Sequence, residues 1–212
     1  MPNSPEAQTQ NPLTAKEYER IYQVIHAVLE DRANTPHACM FFAIAGAFIL
    51  NKHHGIAARP VAGAFLLCVD PTPSVLSIGK SEGNTISWDQ NNFHMWVQTE
   101  NHIVDFIAPI FRESVQGRID VPRRMLQRNQ ENESPSIDDL SSPGDFYTLP
   151  DPDLSEYFVN EFMDRPNHVD LLLAIDAWYK PYPTPLQDMA LLDKYGKVEP
   201  IKIFAPRLDG SW

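Results

Sequence analysis

The stretch Cys39-Met-Phe-Phe-Ala-Ile-Ala-Gly-Ala-Phe-Ile-Leu50 is apolar on nearly every side of a helical wheel. A helix without a polar face belongs in the middle of a domain rather than on its surface. The run stops at Asn51-Lys52-His53-His54 and Gly55, too soon to cross a bilayer. Just upstream, Thr35-Pro36 suits the cap and first position of this helix, which puts Cys39 in or near its first turn. The fold is therefore expected to build around one buried helix with a thiol at its head.

Working outward, Thr14-Ala-Lys-Glu17 forms a capping box, and Ile21, Val24, Ile25, Val28 and Leu29 recur at helical spacing, predicting an amphipathic helix over residues 15–31. Residues 1–13 are polar and proline-bearing and read as a flexible tail, with none of the layout of a secretory signal. After the central helix, residues 56–70 read as a strand broken near Pro60 or Gly63, with short strands at 75–79 and 85–88. A hairpin follows, residues 93–99 and 102–107 joined by a tight Glu100-Asn101 turn. Residues 128–152, dense in Asn, Glu, Ser, Asp and Pro, read as a long loop that either is solvated or folds over a cleft. Helices are expected over 154–164 and 169–179, and an edge strand over 198–204, where Pro200 is tolerated. The sum is an α+β domain over residues 14–212, a central helix packed on an antiparallel sheet.

The chain has 212 residues, enough for one domain with a substantial core, and a net charge of −11. No cluster of Lys and Arg offsets that charge, so a nucleic-acid partner is not expected. Nor is a membrane. The two cysteines, Cys39 and Cys68, fall on a helix and a strand rather than in a disulfide framework, which fits a soluble protein of the reducing cytoplasm. Oligomeric state leaves no mark in the chain. Adjacent His53 and His54 lack companions at ligand spacing, so neither a metal nor another cofactor is expected.

Three residue types carry chemistry. A helix N-terminus presents unpaired N–H groups and partial positive charge, which favour a thiolate and the oxyanion formed when it attacks a carbonyl. Cys39 stands there. With Glu100-Asn101 as the turn, His94 and Asp105 share one face of the hairpin, offset by about two positions, within side-chain reach. An imidazole oriented by a carboxylate is what a thiol nucleophile needs to lose its proton. Plainer readings stand beside this one: Cys39 as a small buried residue, and His94 and Asp105 as a structural hydrogen-bonded pair.

Cys39 at a helix head, Gly55-Ile-Ala-Ala-Arg59-Pro-Val61-Ala-Gly63, His94-Met-Trp96-Val and Ile103-Val-Asp105 together resemble the papain-like cysteine peptidases in the broad sense, above all their transglutaminase-like branch. The resemblance spans residues 35–109. The whole chain also resembles a small bacterial family of unknown function within that superfamily. The resemblance implies a papain-like fold with Cys39 as nucleophile, His94 as proton acceptor and Asp105 as its orienting acid. Ala33 stands where papain-type enzymes carry an oxyanion-stabilising Gln, so Asn34 and the Cys39 N–H are the nearest substitutes. His37, Trp88 and Trp96 are candidates for a substrate cleft, although core packing is the commoner fate of tryptophans. The expected function is a cysteine-dependent hydrolase or acyltransferase acting on a peptide, amide, ester or thioester. A catalytically silent protein binding a peptide or small ligand in the same cleft is the competing reading. A coenzyme-A thioester donor would call for a basic pocket, for which Arg59, Arg123 and Arg124 are only scattered candidates.

Overall fold

A computed structural model describes residues 11–72, 74–82, 85–115, 119–192 and 195–212. Its helices are α1 (Ala15–Leu29), α2 (Cys39–Ile49), α3 (Phe111–Ser114), α4 (Pro152–Met163) and α5 (Pro166–Trp178). Its strands are β1 (Ala58–Cys68), β2 (Val75–Ile78), β3 (Lys80–Glu82), β4 (Thr85–Ser87), β5 (His94–Thr99), β6 (His102–Asp105), β7 (Arg124–Asn129), β8 (Phe146–Asp151), β9 (Met189–Leu192), β10 (Val198–Ile201) and β11 (Gly210–Ser211). Seven strands make the main sheet, in the order β11-β7-β6-β5-β1-β2 with β8 also on β1. All of its pairings are antiparallel except β11 on β7. The architecture is thus mixed α/β, helices against a mostly antiparallel sheet.

The capping box opens α1 as the spacing predicts: Glu17 N–H donates to Thr14 Oγ1 at 3.3 Å, and Thr14 N–H donates to the Glu17 carboxylate at 2.8 Å. The expected tail falls mostly on residues 1–10, outside the described residues. Its end is not loose: Leu13 is buried, and its carbonyl accepts from Gln127 Nε2 at 2.8 Å. Thr35-Pro36 does not cap α2 directly. It opens a separate 3₁₀ turn, Thr35–His37, and α2 begins at Cys39 itself. Downstream the helix passes into a π turn, Leu50–His54, and stops at Gly55, whose φ of 66° suits glycine.

β1 runs unbroken through both expected breakpoints. Ala62, two residues on from Pro60, directs its N–H away from β5 to Ser155 Oγ at 2.8 Å. The strand period of two gives Pro60 the same direction, and β8 begins its pairing only at Ala62, so the missing N–H removes no ladder bond. Gly63 is a place of close approach, since a Cβ there would lie 2.0 Å from the Leu149 carbonyl oxygen. The segment expected to be a loop is the other departure. It supplies the end of β7, two 3₁₀ turns and β8, which pairs with β1 from Ala62 to Leu67. Pro150 sits in β8 without harm because the only described partner of that strand lies on one edge. The last expected strand is shorter than read and pairs with β9 in a hairpin of its own.

The hairpin that carries His94 pairs Val97 with Val104 and Gln98 with Ile103, the expected register. α2 lies against it, closely enough that a Cβ on Gly46 would meet Phe106 Cδ2 at 2.4 Å and Val97 Cγ2 at 3.2 Å. Cys39 is two turns N-terminal on the same helix face, about 10 Å along the axis. His94 is three residues before Val97, also about 10 Å along its strand. The seat of Gly46 therefore fixes where along β5 the head of α2, and with it the Cys39 backbone, comes to lie. We expect Gly46→Ala to lower the unfolding free energy by about 1–2 kcal/mol, the steric cost exceeding the gain in helix propensity. Chemical denaturation checks this, and an equal or more stable variant would show that α2 can shift freely.

Candidate active site

His94 opens β5 and Asp105 closes β6, and both side chains are buried. His94 Nε2 and Asp105 Oδ2 are 2.6 Å apart, while Asp105 Oδ1 accepts from the Ile107 N–H at 3.2 Å. Both carboxylate oxygens are thereby satisfied, which a buried charge requires. Tyr18 Oη donates to the Asp105 carbonyl and accepts from the Leu126 N–H at 3.3 Å, tying α1 and β7 to the same corner. The His94 ring packs among Phe65, Phe111 and Trp96, with centroids 5.3, 5.5 and 6.4 Å away.

Burial alone would disfavour a charged ring at His94. The charge and hydrogen bond of Asp105, and then the hydrogen bond to the Cys39 sulfur, outweigh it and push the imidazole up to about 10. With Nε2 turned to Asp105, Nδ1 is the ring nitrogen left for the sulfur. Cys39 is half-buried and Cys68 fully buried; both are free thiols. Burial pushes the Cys68 thiol up, as expected of a core strand residue.

Cys39 and His94 share a cavity of about 570 Å³. Its apolar wall comes from Val75, Leu76, Ile78, Ile107, Phe111 and Ile119, and none of the described residues lining it is Lys, Arg, Asp or Glu. A second hollow of about 470 Å³ adjoins it, sharing His37, Asn91 and Phe93, and is more polar, with Arg32, Arg165 and His168 on its walls.

His37 lines the first cavity, and its side chain is exposed. Asn34 does not: it lines the adjoining hollows instead, whereas Cys39, at the head of α2, lines the cavity itself. Trp96 is a core residue, 1% exposed, stacked behind His94 rather than walling a cleft. Trp88 donates from Nε1 to Asp151 Oδ2 at 2.9 Å, bracing the start of α4 away from the cavity. Nothing in residues 131–153 lines the cavity, because β8 fastens that segment to the sheet. His53 and His54 are taken up by Asp176 and Tyr179, at 3.0 and 2.7 Å. What the sequence reading missed is the wall. Asp70-Pro-Thr-Pro-Ser74 is a turn signal that would have folded β2 back on β1, and Phe106 to Phe111 is an apolar run directly after Asp105.

Fold and site define a mixed α/β protein in which a free cysteine at a buried helix's head meets a buried His–Asp pair. The chain belongs to the family described as "Protein of unknown function (DUF2026)", whose model matches residues 14–212. A solved crystal structure of a genomics target, APC5867, is 26% identical, with a TM-score of 0.85 over 98% of this chain and 100% of that one. No curated protein matches the chain. No helix among the described residues is long and apolar enough to cross a membrane.

Because the pKa of His94 is raised in the folded state, its pairing contributes fully to stability below about 6.5 and is lost as pH rises through about 10. The unfolding free energy should therefore fall across that alkaline window. Asp105→Asn should remove the slope and, by leaving His94 unpaired in the interior, cost about 3–5 kcal/mol. Urea titrations at pH 6 to 10 check both. A wild-type curve that is flat across the window would contradict the charged pair.

Proposed function

We propose that this protein is a cysteine-dependent hydrolase or acyltransferase of the papain-like, transglutaminase-like kind, with Cys39, His94 and Asp105 as its triad. The observation that carries the reading is their convergence: a half-buried thiol and an imidazole on one cavity, the imidazole anchored from behind by a carboxylate at 2.6 Å. A purely structural His–Asp pair has no need of a thiol at its open nitrogen.

The Cys39 sulfur, its proton held by His94, attacks the carbonyl carbon of the substrate and forms a carbon–sulfur bond. The carbonyl oxygen becomes an oxyanion that the Cys39 N–H at the head of α2 stabilises. His94 then gives its proton to the departing amine, alkoxide or thiolate, and the acyl group stays on sulfur. Water or an amine, deprotonated by His94, attacks the thioester and releases the product and the free thiol. Asp105 remains a carboxylate throughout, holding the ring and its charge. The two adjoining hollows suit two substrate halves, with the apolar one for the acyl side and the polar one for the leaving group or acceptor. Two free thiols fit a reducing, cytoplasmic setting.

Iodoacetamide at pH 7, followed by peptide mass mapping, tests the reading. We expect Cys39 to be alkylated while Cys68 is spared, with His94→Ala slowing the reaction about tenfold or more. His94→Gln, which keeps more of the ring's volume, should slow it similarly if the variant stays folded by circular dichroism. Labelling of Cys39 that is indifferent to both substitutions would contradict the triad and leave a ligand-binding protein on the same scaffold.

A further inference from the structure

Among the described residues no strand pairs with one edge of β2, and all of β2 lines the cavity that holds Cys39. β1 and β2 pair with Phe65 opposite Ile78 and Cys68 opposite Val75, and in the same register the Val69 N–H donates to the Ser74 carbonyl at 2.9 Å. Hydrogen-bonded and non-bonded pairs alternate along an antiparallel ladder. Leu76 and Ile78 therefore direct their main-chain groups to β1, and Val75 and Ser77 direct theirs away from it. Among the described residues no second strand takes them up, yet all four residues of β2 line the cavity. Ser77 Oγ is itself buried without a hydrogen-bond partner.

The opening has a cause in the sheet. The edge of β1 carries β5 at Ala58 to Gly63 and then β2 at Phe65 to Cys68. The next row is filled by β6 alongside β5, but β6 ends at Asp105. Alongside β2 no strand of the described residues fills the row, and the cavity lies there, with Ile107 and Phe111 on its walls. The head of this vacant row is where His94 and Asp105 meet.

We infer that the substrate is an extended polypeptide segment that adds to the free edge of β2, pairing its main chain with Val75 and Ser77 and placing a bulky uncharged side chain against Leu76, Ile78, Phe111 and Ile119. This rests on the reading of Cys39 as nucleophile. Strand addition supplies affinity through main-chain bonds, and the pocket beside it supplies selectivity. A fatty acyl chain would fill the same apolar hollow but leave the outward donors and acceptors of Val75 and Ser77 unmatched, which the polypeptide satisfies.

The test uses three chloromethyl ketones on the full chain: acetyl-Leu-Ala chloromethyl ketone, the same compound with its main-chain amides N-methylated, and 1-chloro-2-undecanone. In each, the Cys39 sulfur displaces chloride and forms a thioether read by intact mass, with rates expressed relative to iodoacetamide on the same sample. We expect the peptide ketone to exceed both others by about tenfold or more. Ser77→Pro deletes the outward N–H while leaving the ladder to β1 intact, and should bring the relative peptide rate down to that of the methylated compound. Equal relative rates for the three ketones on the wild-type chain would overturn the proposal, whether or not Ser77→Pro folds. Slow iodoacetamide labelling, indifferent to His94 yet with the peptide preference intact, would instead remove the catalytic reading and leave peptide docking standing.

Discussion

The close seat of α2 on the β5–β6 hairpin is the constraint on which the site depends. Gly46 has no side chain to hold the helix off Phe106 and Val97, and one turn earlier the small Ala43 packs with Met95 of the same hairpin. From that contact, two helical turns lead to Cys39 and three strand residues lead to His94, nearly equal distances in two different geometries. A thiol on an independent loop would need its own supports. Here the buried helix places it, and the packing that places it is the core of the protein.

The same packing sets the electrostatics. Putting an ionised His–Asp pair into the interior is expensive, and such pairs seldom persist for stability's sake alone. Here each partner is fully engaged: Asp105 by His94 and the Ile107 N–H, its backbone by Tyr18, and His94 by Asp105 and the thiol. The aromatic shell of Phe65, Trp96 and Phe111 excludes water from the ring without offering it another acceptor. Only the side toward Cys39 and the cavity remains open. Trp96 thus acts on the site from behind, by packing, rather than by touching a substrate.

The parts of this arrangement legible in the sequence are those with local signatures. The capping box at Thr14, the apolar run from Cys39 and the alternation around Glu100-Asn101 each carry their meaning within a few residues, and the hairpin register placed His94 beside Asp105. Where pairing is non-local, the reading fell short. β8 looks like loop because Pro150 and its polar surroundings obscure a strand whose only described partner is β1, far back in the chain. Pro60 looks like a break because the direction of its missing N–H depends on which strand lies on which side. Trp96 and Trp88 could not be assigned to core or cleft from alternation, since a period of two says which residues share a face and not what covers it. The cavity wall is of the same kind, assembled from β2 and the segment after β6.

If Cys39 is the nucleophile proposed above, sulfur, ring and carboxylate titrate as one coupled unit. The most direct measurement of that coupling is the pH titration of the seven histidines by ¹⁵N-resolved NMR, before and after Cys39 is alkylated. His94 should stay doubly protonated at pH 8, where an unperturbed histidine is neutral, and its pKa should fall when the sulfur is capped. A His94 resonance titrating near the ordinary histidine value and unmoved by alkylation would contradict it.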